Sequence, residues 1–156
     1  MNYIGYCNSG IETVMVQASE KEILEVTFCQ NKQWVERRNH LVDEAIRQLD
    51  EYFEGRRFTF DLPLRMEGTE FQIACLKAML EIPYGTTISY LDEARRIGRE
   101  KAVRAVGNAN RNNKIGIIIP CHRVIGSSGK LVGYAGRLDL KAWLLEHEKR
   151  NRIVMF

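Results

Sequence analysis

The stretch ISYLDEARRIGREKAVRAVGNANRNN, residues 88–113, decides the fold of the C-terminal half. It predicts two short helices, the first closing at Gly98 and the second running through REKAVRAVGNANRN. Two short helices joined by a tight turn with glycine outline a helix-turn-helix. The second helix carries basic residues with small residues between them: Lys101, Arg104, Arg111, Ala102, Ala105 and Ala109. Small side chains allow close approach to DNA or to protein, so a packed helical hairpin without a DNA role stays open.

The positive charge of the chain is concentrated around these helices. Residues 87–156 hold 14 Lys and Arg against 6 Asp and Glu, whereas residues 1–86 hold 9 against 14. The net charge of the whole chain is only +3. A basic half in a nearly neutral protein favours a polyanionic partner such as nucleic acid. On charge alone, a solvated charged surface is the alternative.

The composition is typical of a folded globular protein. The chain has 156 residues, of which 45% are apolar and 28% charged. No apolar stretch approaches the roughly 20 residues of a membrane span, and the N-terminus lacks a signal-peptide pattern. We therefore expect a cytoplasmic protein, nucleoid-associated if prokaryotic, with no membrane partner. The four cysteines show no CxxC spacing, so we expect no disulfide framework and no metal site.

The N-terminal half is predicted to be a small α/β unit. Residues 11–29 contain two β-rich runs around a turn-like SEKE, which indicates a hairpin. Apolar residues at helical spacing predict a helix over 39–55, and a second helix over 69–82 begins with Thr69 as N-cap. The predicted fold class is thus an α/β N-terminal unit, a small sheet plus a helix at 1–66. A mainly α-helical C-terminal domain at 67–156 follows and contains the helix-turn-helix.

Cys121 stands out within IGIIIPCHRVIGSSGKLVGYAG, residues 115–136. The β-branched run before it can form a buried strand or extended segment. His122 and Arg123 beside it favour an electropositive setting, which lowers the pKa of a thiol. A nucleophilic cysteine also needs a base within reach, and neighbouring residues meet only in a turn or at a helix start. For an isolated Cys-His pair, a structural thiol beside an unrelated histidine is the alternative.

The segment IPCHRVIGSSGKLVGYAG strongly resembles the active-site signature of the O6-alkylguanine-DNA alkyltransferases, the methylated-DNA–protein-cysteine methyltransferases. Three further segments are similar to that family: GTEFQIACLKAMLEIPYGTTISY, KAVRAVGNANRNN and LKAWLLEHE. Together they cover about residues 68–149, and AIRQLDEYFEGRRFTFDLPL resembles the bridge from the family's N-terminal unit. The resemblance implies that residues 1–66 are a ribonuclease H-like remnant and that 67–156 bind DNA and accept the alkyl group.

The resemblance implies a single-use repair reaction without a cofactor. The alkyl group, chiefly methyl, moves from O6-alkylguanine, and from O4-alkylthymine, in double-stranded DNA to Cys121. His122 matches the base that draws the thiol proton away through a water, and Glu148 matches the carboxylate that orients this histidine. Asn113 matches the asparagine that braces the active-site turns. Tyr90 matches the tyrosine that donates to a guanine ring nitrogen as charge builds on the leaving purine.

The same resemblance implies how DNA is held by a monomer. Arg104 matches the arginine that fills the gap left by a flipped nucleotide. Ala102, Ala105 and Ala109 would let the recognition helix dock in the minor groove, with Lys101, Arg111 and Arg123 as further DNA contacts. Tyr134, Ala135 and Gly136 match the loop that closes over the base, and the Val124 carbonyl would accept from the guanine amino group.

Two alternatives remain, and the chain departs from the family pattern at several positions, among them Arg137 and Glu93. A non-catalytic alkylated-base binder of this kind lacks the cysteine, and an alkylation-sensing regulator usually carries a further DNA-binding domain. Arg137 stands where a second glycine is usual, which puts a bulky cation on the closing loop. Glu93 stands where an apolar residue is usual in the first helix of the pair.

Overall fold

A three-stranded antiparallel sheet forms the centre of the N-terminal unit. In this computed structural model, which describes residues 2–132, 134 and 137–155, the strands are β1 (Tyr3–Asn8), β2 (Thr13–Ala18) and β3 (Ile23–Cys29), paired in the order β1-β2-β3. The hairpin predicted over 11–29 is β2 and β3, and is confirmed. Strand β1 is an addition to the prediction.

Helix α1 (His40–Phe53) packs on one face of this sheet. It begins at Asn39, whose side chain accepts a hydrogen bond from the Val42 amide at 2.8 Å, as an N-cap does. Gly5 of β1 lies against α1 so closely that a Cβ there would be 2.7 Å from Val42 Cγ1 and 2.8 Å from Ile46 Cδ1. A side chain at this position would therefore push the helix off the strand, which explains the glycine in β1.

The chain returns to the N-terminal unit through a short buried segment. One compact unit comprises the chain up to Arg65 together with Lys114–Ile118, and the other comprises Met66–Asn113 and the chain from Ile119 onward. Ile115 forms a single parallel bridge with Val26 of β3. Ile117 follows with a φ of 69°, which a β-branched residue adopts only under strain. The predicted extended segment before Cys121 therefore pairs with β3 only at Ile115, and the backbone changes direction at Ile117.

The C-terminal unit consists mainly of helices. They are α2 (Glu70–Leu80), α3 (Tyr90–Arg96), α4 (Val103–Arg111), a 3-10 helix (Cys121–Arg123) and α5 (Leu138–Met155). Strands β4 (Ile88–Ser89) and β5 (Val124–Ile125) form a short parallel pair. Thr69 caps α2 and Ser89 caps α3, each in a reciprocal capping box. None of the helices in the described part of the chain is long and apolar enough to cross a membrane.

Helices α3 and α4 form the predicted helix-turn-helix. The turn between them contains Gly98, whose φ of 73° suits glycine. Their shared core is a small apolar cluster, to which α2 contributes. Its buried members are Cys75, Ala94, Val106 and Ala109, and Phe71, Tyr90, Ile97 and Val103 pack around them.

Glu93 joins the two helices from inside this unit. Its side chain is fully buried, and Asn110 Nδ2 of α4 donates to its Oε1 at 2.6 Å. Within the described residues, Glu93 Oε2 and Asn110 Oδ1 have no hydrogen-bond partner. Burial raises the pKa of Glu93 from 4.5 to about 7, although the Asn110 hydrogen bond and Arg96 act in the opposite direction. A neutral carboxylic acid therefore bridges α3 and α4 below neutral pH.

This buried acid makes the stability of the fold depend on pH. The folded protein holds the Glu93 proton more tightly than the unfolded chain, so the free energy of unfolding falls as pH rises from about 4.5 to about 7. The contribution lost is at most about 3 kcal/mol. Glu93→Gln cannot ionise at this position. The unfolding free energy of the wild type is therefore expected to fall by up to that amount, relative to that of the variant, as the pH rises.

Urea unfolding at several pH values between about 5 and about 8 measures this difference. Glu100→Gln is the matched control, because Glu100 is an exposed carboxyl of the same unit. Its difference from wild type is expected to stay constant with pH. A constant difference for Glu93→Gln as well would contradict the protonation of Glu93 in the folded state.

Candidate active site

Cys121 is the first residue of the 3-10 helix, directly after Pro120. Its amide donates to the Ile119 carbonyl at 2.8 Å, so the backbone turns sharply at the cysteine. The Asn113 side chain braces this turn by donating to the same carbonyl at 2.9 Å, and it also hydrogen-bonds to the thiol. The Cys-His pair therefore lies at a helix start, where neighbouring side chains can act together.

Burial raises the pKa of the Cys121 thiol. The Asn113 hydrogen bond and the charge of Lys141 lower this pKa but do not cancel the effect of burial. The sequence-based expectation of a lowered thiol pKa is therefore wrong for the protein without substrate. The cations adjacent in sequence do not act as expected, because Arg123 is paired elsewhere and His122 is held neutral.

His122, Arg123 and Glu148 form one buried cluster around a single carboxylate. His122 Nε2 lies 2.6 Å from Glu148 Oε2. Arg123 donates to both oxygens of Glu148, from Nε to Oε1 at 2.9 Å and from Nη2 to Oε2 at 3.0 Å. The Gly85 amide adds a further hydrogen bond to Oε1 at 3.1 Å. Although burial alone would raise the pKa of Glu148, His122 and Arg123 hold it below its usual range.

This cluster fixes which nitrogen of His122 carries the proton. Burial lowers the pKa of His122, so the ring is neutral near neutral pH. An ionised Glu148 only accepts hydrogen bonds, and Nε2 must therefore be the donor. Nδ1 keeps its lone pair and, among the described residues, has no hydrogen-bond partner. His122, the residue that follows Cys121, can therefore accept a proton through Nδ1.

Arg123 does not serve as the DNA contact implied by the resemblance. Its side chain is only 8% exposed. Besides the two bonds to Glu148, it donates from Nη1 to the Ile82 carbonyl at 2.7 Å. If Arg123 left these hydrogen bonds to reach a phosphate, Glu148 would be a buried carboxylate without its cation. Arg123 therefore pairs with Glu148 inside the protein, which corrects the expected DNA contact.

Tyr90 and Val124 lie around a lysine that the sequence analysis did not single out. Tyr90 begins α3, and its hydroxyl donates to the Val132 carbonyl at 3.0 Å. Lys141 Nζ donates to the Val124 carbonyl at 2.6 Å and to the Val132 carbonyl at 2.7 Å. A signal was available, because Lys141 and Glu148 are seven residues apart in α5 and share a face with buried Leu144.

The loop expected to close over the base is described only in part. Tyr134 is half-buried, and its carbonyl accepts from the Arg137 amide at 2.8 Å. The expected substrate contacts Ala135 and Gly136 lie outside the described residues. The guanidinium of Arg137, the unusual cation of this loop, pairs with Asp139 at 3.1 Å. That pair directs the Arg137 side chain to the start of α5.

Most of the residues expected to contact DNA are exposed on α4 or directly before it, because the helix begins at Val103 and not at Arg99 as predicted. Lys101, Arg104, Ala105 and Arg111 are exposed, and Ala102 is half-buried at the N-cap. Arg104 has no ion-pair partner in the part of the chain that the structure describes. Ala109 is a correction: it is only 8% exposed and packs in the apolar core of the helix pair. Its small size serves that packing, because it lies on the inner face of α4.

Among the described residues, no three His, Cys, Asp or Glu side chains lie close enough together to hold a metal ion.

Comparison with known proteins identifies the family. Residues 2–66 match the family model of the 6-O-methylguanine DNA methyltransferase, ribonuclease-like domain. Residues 70–150 match the family model of the 6-O-methylguanine DNA methyltransferase, DNA binding domain. The chain belongs to the 6-O-methylguanine DNA methyltransferase family. The resemblance stated from the sequence is therefore confirmed.

Individual members of this methyltransferase family are similar over nearly the whole chain. A methylated-DNA–protein-cysteine methyltransferase of Methanosarcina barkeri is 46% identical over 96% of this chain and 98% of its own. A crystal structure of Mycobacterium tuberculosis O6-methylguanine methyltransferase has a TM-score of 0.88 at 38% identity, covering 97% of this chain and 94% of that one. A structure of Mycobacterium tuberculosis OGT in complex with DNA has a TM-score of 0.86 at 40% identity, covering 94% and 92%.

The buried carboxylate makes a prediction about stability. Glu148→Gln removes the negative charge between Arg123 and His122 and leaves Arg123 as a buried, uncompensated cation. We expect the free energy of unfolding to fall by about 3 kcal/mol or more. Glu146→Gln, an exposed position on the same helix, is the control and is expected to change it by less than about 0.5 kcal/mol. Equal losses in the two variants, measured by urea unfolding, would show that the cluster does not hold the fold.

Proposed function

We propose that this protein repairs DNA by moving the methyl group of O6-methylguanine to its own Cys121. The observation that carries the proposal is the buried His122–Glu148 pair, which leaves Nδ1 of the residue after Cys121 with a lone pair and with no hydrogen-bond partner among the described residues. Membership of the 6-O-methylguanine DNA methyltransferase family supports the same substrate. The relatives named methylated-DNA–protein-cysteine methyltransferase, and the DNA complex of the Mycobacterium tuberculosis protein, are consistent with it.

In the proposed reaction, His122 Nδ1 takes the thiol proton through a water. The thiolate then displaces guanine from the methyl carbon, so that the Sγ–C bond forms as the C–O6 bond breaks. The electron pair of the broken bond stays with guanine, which takes up a proton in return, and the thiol proton is thereby accounted for. The product is S-methylcysteine, a thioether that water does not cleave under ordinary conditions. Each molecule of protein therefore acts once.

The raised pKa of the Cys121 thiol agrees with this sequence of events. A thiol that stays protonated in the unoccupied site does not react with other electrophiles, because the thiolate is the nucleophile. The proton leaves when substrate is in place and His122 can share it. Glu148 stabilises the imidazolium that forms, as the carboxylate does in a Ser-His-Asp triad.

Recognition of the base is proposed to use the groups around Lys141. The Val124 carbonyl is fixed by Lys141 and keeps a second lone pair for the guanine amino group. The Tyr90 hydroxyl already acts as a donor, to Val132, and would turn to a ring nitrogen of the purine. Tyr134, with Ala135 and Gly136, would close over the base.

Access to the methyl group requires the nucleotide to leave the helix, because a stacked base cannot reach a half-buried sulfur. We propose that the exposed face of α4 lies in the minor groove, where Ala102 and Ala105 permit close approach. Arg104 would fill the vacancy in the stack, and Lys101 and Arg111 would contact phosphates. O4-alkylthymine would be a second substrate. We further propose that the protein acts as a monomer on DNA in the cytoplasm, near the nucleoid in a prokaryote.

A labelled substrate tests the proposal. The wild-type protein, incubated with duplex DNA that carries O6-methylguanine with a labelled methyl group, is expected to acquire one label on Cys121, located by mass spectrometry of its peptides. Cys121→Ser is expected to lose transfer and keep binding to the damaged duplex. Cys29→Ser is the matched control, because Cys29 lies in the N-terminal sheet, and is expected to transfer like wild type.

The outcomes separate the alternatives. Tight binding of the damaged duplex by the wild type without any label on Cys121 would overturn the repair reaction and leave a non-catalytic binder or a sensing regulator. Label on another cysteine would overturn the assignment of the acceptor.

A further inference from the structure

The contact between Glu93 and Asn110 leaves two buried atoms of the same kind without a partner. Glu93 of α3 is fully buried, and Asn110 of α4 is 4% exposed. Asn110 Nδ2 donates to Glu93 Oε1 at 2.6 Å. Among the described residues, Glu93 Oε2 and Asn110 Oδ1 have no hydrogen-bond partner. Both atoms only accept hydrogen bonds when the carboxyl is ionised, so in that state they cannot bond to each other.

A single proton on Glu93 Oε2 removes this mismatch. The protonated oxygen becomes a donor, and Asn110 Oδ1 is available to accept from it, which gives the two-bond pairing of a carboxylic acid with a primary amide. An ionised Glu93 would instead be a buried carboxylate with one neutral donor. Burying such a charge is far more costly than burying a polar group whose hydrogen bonds are made. The hydrogen-bond pattern itself therefore favours a protonated Glu93.

Glu93 differs from its titratable neighbours because its charge changes near neutral pH. The groups that interact with its charge are Arg96 of the same helix, Tyr90 at the start of that helix, Cys75 of α2 and Cys121 of the 3-10 helix. Arg96 favours the ionised carboxyl. Burial raises the pKa of Tyr90 and of both thiols, so all three stay neutral through neutral pH.

The other elements that pack against α3 add few further charges. The cations of α4 are Arg104 and Arg111, and both are exposed. Strands β4 and β5 carry no titratable side chain. Lys141 of α5 lies 5.7 Å from the centre of the Tyr90 ring, and burial lowers its pKa to about 8. A comparison of two proteins that both contain Lys141 cancels its titration and leaves that of Glu93.

The orientation of α4 depends on the contact with Glu93 because few side chains hold this helix from inside. The helix is nine residues long, and its buried residues are Val106, Ala109 and Asn110. When Glu93 loses its proton, the carboxylate must take up water between α3 and α4 or turn out of the core, since a buried charge without a compensating cation is costly. Either change loosens the helix that carries Arg104 on its outer face.

We propose that the Glu93–Asn110 pair makes DNA binding by the helix-turn-helix sensitive to pH: the protonated pair holds α4 in its DNA-binding orientation, and loss of the proton weakens binding. The inference rests on the proposed function, because it requires the exposed face of α4 to contact DNA. Bound DNA adds to the effect, since phosphates against α4 disfavour a negative charge within the helix pair. DNA binding is therefore expected to make Glu93 hold its proton more tightly.

The direction of the pH dependence follows from the protonated state being the binding state. Burial raises the pKa of Glu93 to about 7 in the free protein, so the change falls around neutral pH. Below this pH the pair is intact with or without DNA. Above it, binding requires the uptake of a proton, and for one linked proton the dissociation constant rises by at most about tenfold per pH unit.

Two isosteric substitutions separate the proton from the contact. Glu93→Gln keeps both hydrogen bonds at every pH, because its amide donates to Asn110 Oδ1 and accepts from Asn110 Nδ2. The double variant Glu93→Gln with Asn110→Asp places the acid on α4 and the amide on α3, so it restores a pair that needs a proton. Glu100→Gln is the matched control, because Glu100 is an exposed carboxyl in the turn before α4.

The first measurement is binding to an undamaged DNA duplex, followed by fluorescence anisotropy at constant ionic strength. We expect the ratio of the wild-type dissociation constant to that of Glu93→Gln to be near one below about pH 6 and to approach about tenfold at about pH 8. The double variant is expected to show a similar rise, and Glu100→Gln is expected to keep a constant ratio to wild type. A constant ratio for a folded Glu93→Gln would overturn the proposal, because a purely structural contact would change affinity equally at every pH.

The second measurement needs no substitution in the helix pair. Carbon-13 NMR of the glutamate carboxyls follows the titration of Glu93 in the free wild-type protein and in its complex with the same duplex. Because linkage is reciprocal, the midpoint is expected at a higher pH in the complex. Identical midpoints, or a Glu93 that is ionised throughout in the free protein, would overturn the proposal even if the variants failed to fold.

Both measurements use undamaged DNA, so they are independent of methyl transfer. A constant ratio together with intact methyl transfer would refute the role of the Glu93–Asn110 pair alone. A ratio that rises with pH in a protein that transfers no methyl group would refute the proposed repair reaction and leave the role of the pair in place.

Discussion

The carboxylate of Glu148 is the constraint on which the C-terminal unit depends. A buried carboxylate is tolerable only when its charge and its lone pairs are matched, and here Arg123, His122 and the Gly85 amide match them. The contacts join α5 to the 3-10 helix that begins with Cys121 and to the turn at Gly85. The residues that hold this part of the fold are therefore the same residues that prepare the nucleophile.

This arrangement explains how one site can protect and activate a thiol. Burial keeps Cys121 protonated and His122 neutral, whereas Glu148 holds the His122 proton on Nε2 and so leaves the lone pair on Nδ1. Arg123 is occupied by Glu148, and the cation that lowers the pKa of the thiol is Lys141 of α5. Reactivity is then set by the three-dimensional placement of charges, which differs from their order along the sequence.

The elements of the fold that have a local sequence signal could be predicted from the sequence. The β2–β3 hairpin, the capped helix after Thr69 and the helix-turn-helix all have turn, cap and periodicity signals within a few residues. Strand β1 lacks such a local signal, because Gly5 is required by its close contact with helix α1, which comes later in the chain. The family resemblance implied DNA contacts for Ala109 and Arg123, and only the packing shows that both side chains face inward. Lys141 was missed because a lysine is usually exposed, although its spacing from Glu148 placed it on the buried face.

The central claim is that burial keeps His122 neutral and that Glu148 holds its single ring proton on Nε2. Nitrogen-15 NMR of the imidazole ring measures this directly, because protonated and unprotonated ring nitrogens resonate at well-separated frequencies. At neutral pH we expect a neutral His122 ring with its proton on Nε2 and a lone pair on Nδ1. A proton on Nδ1, or a ring protonated at both nitrogens, would contradict the claim.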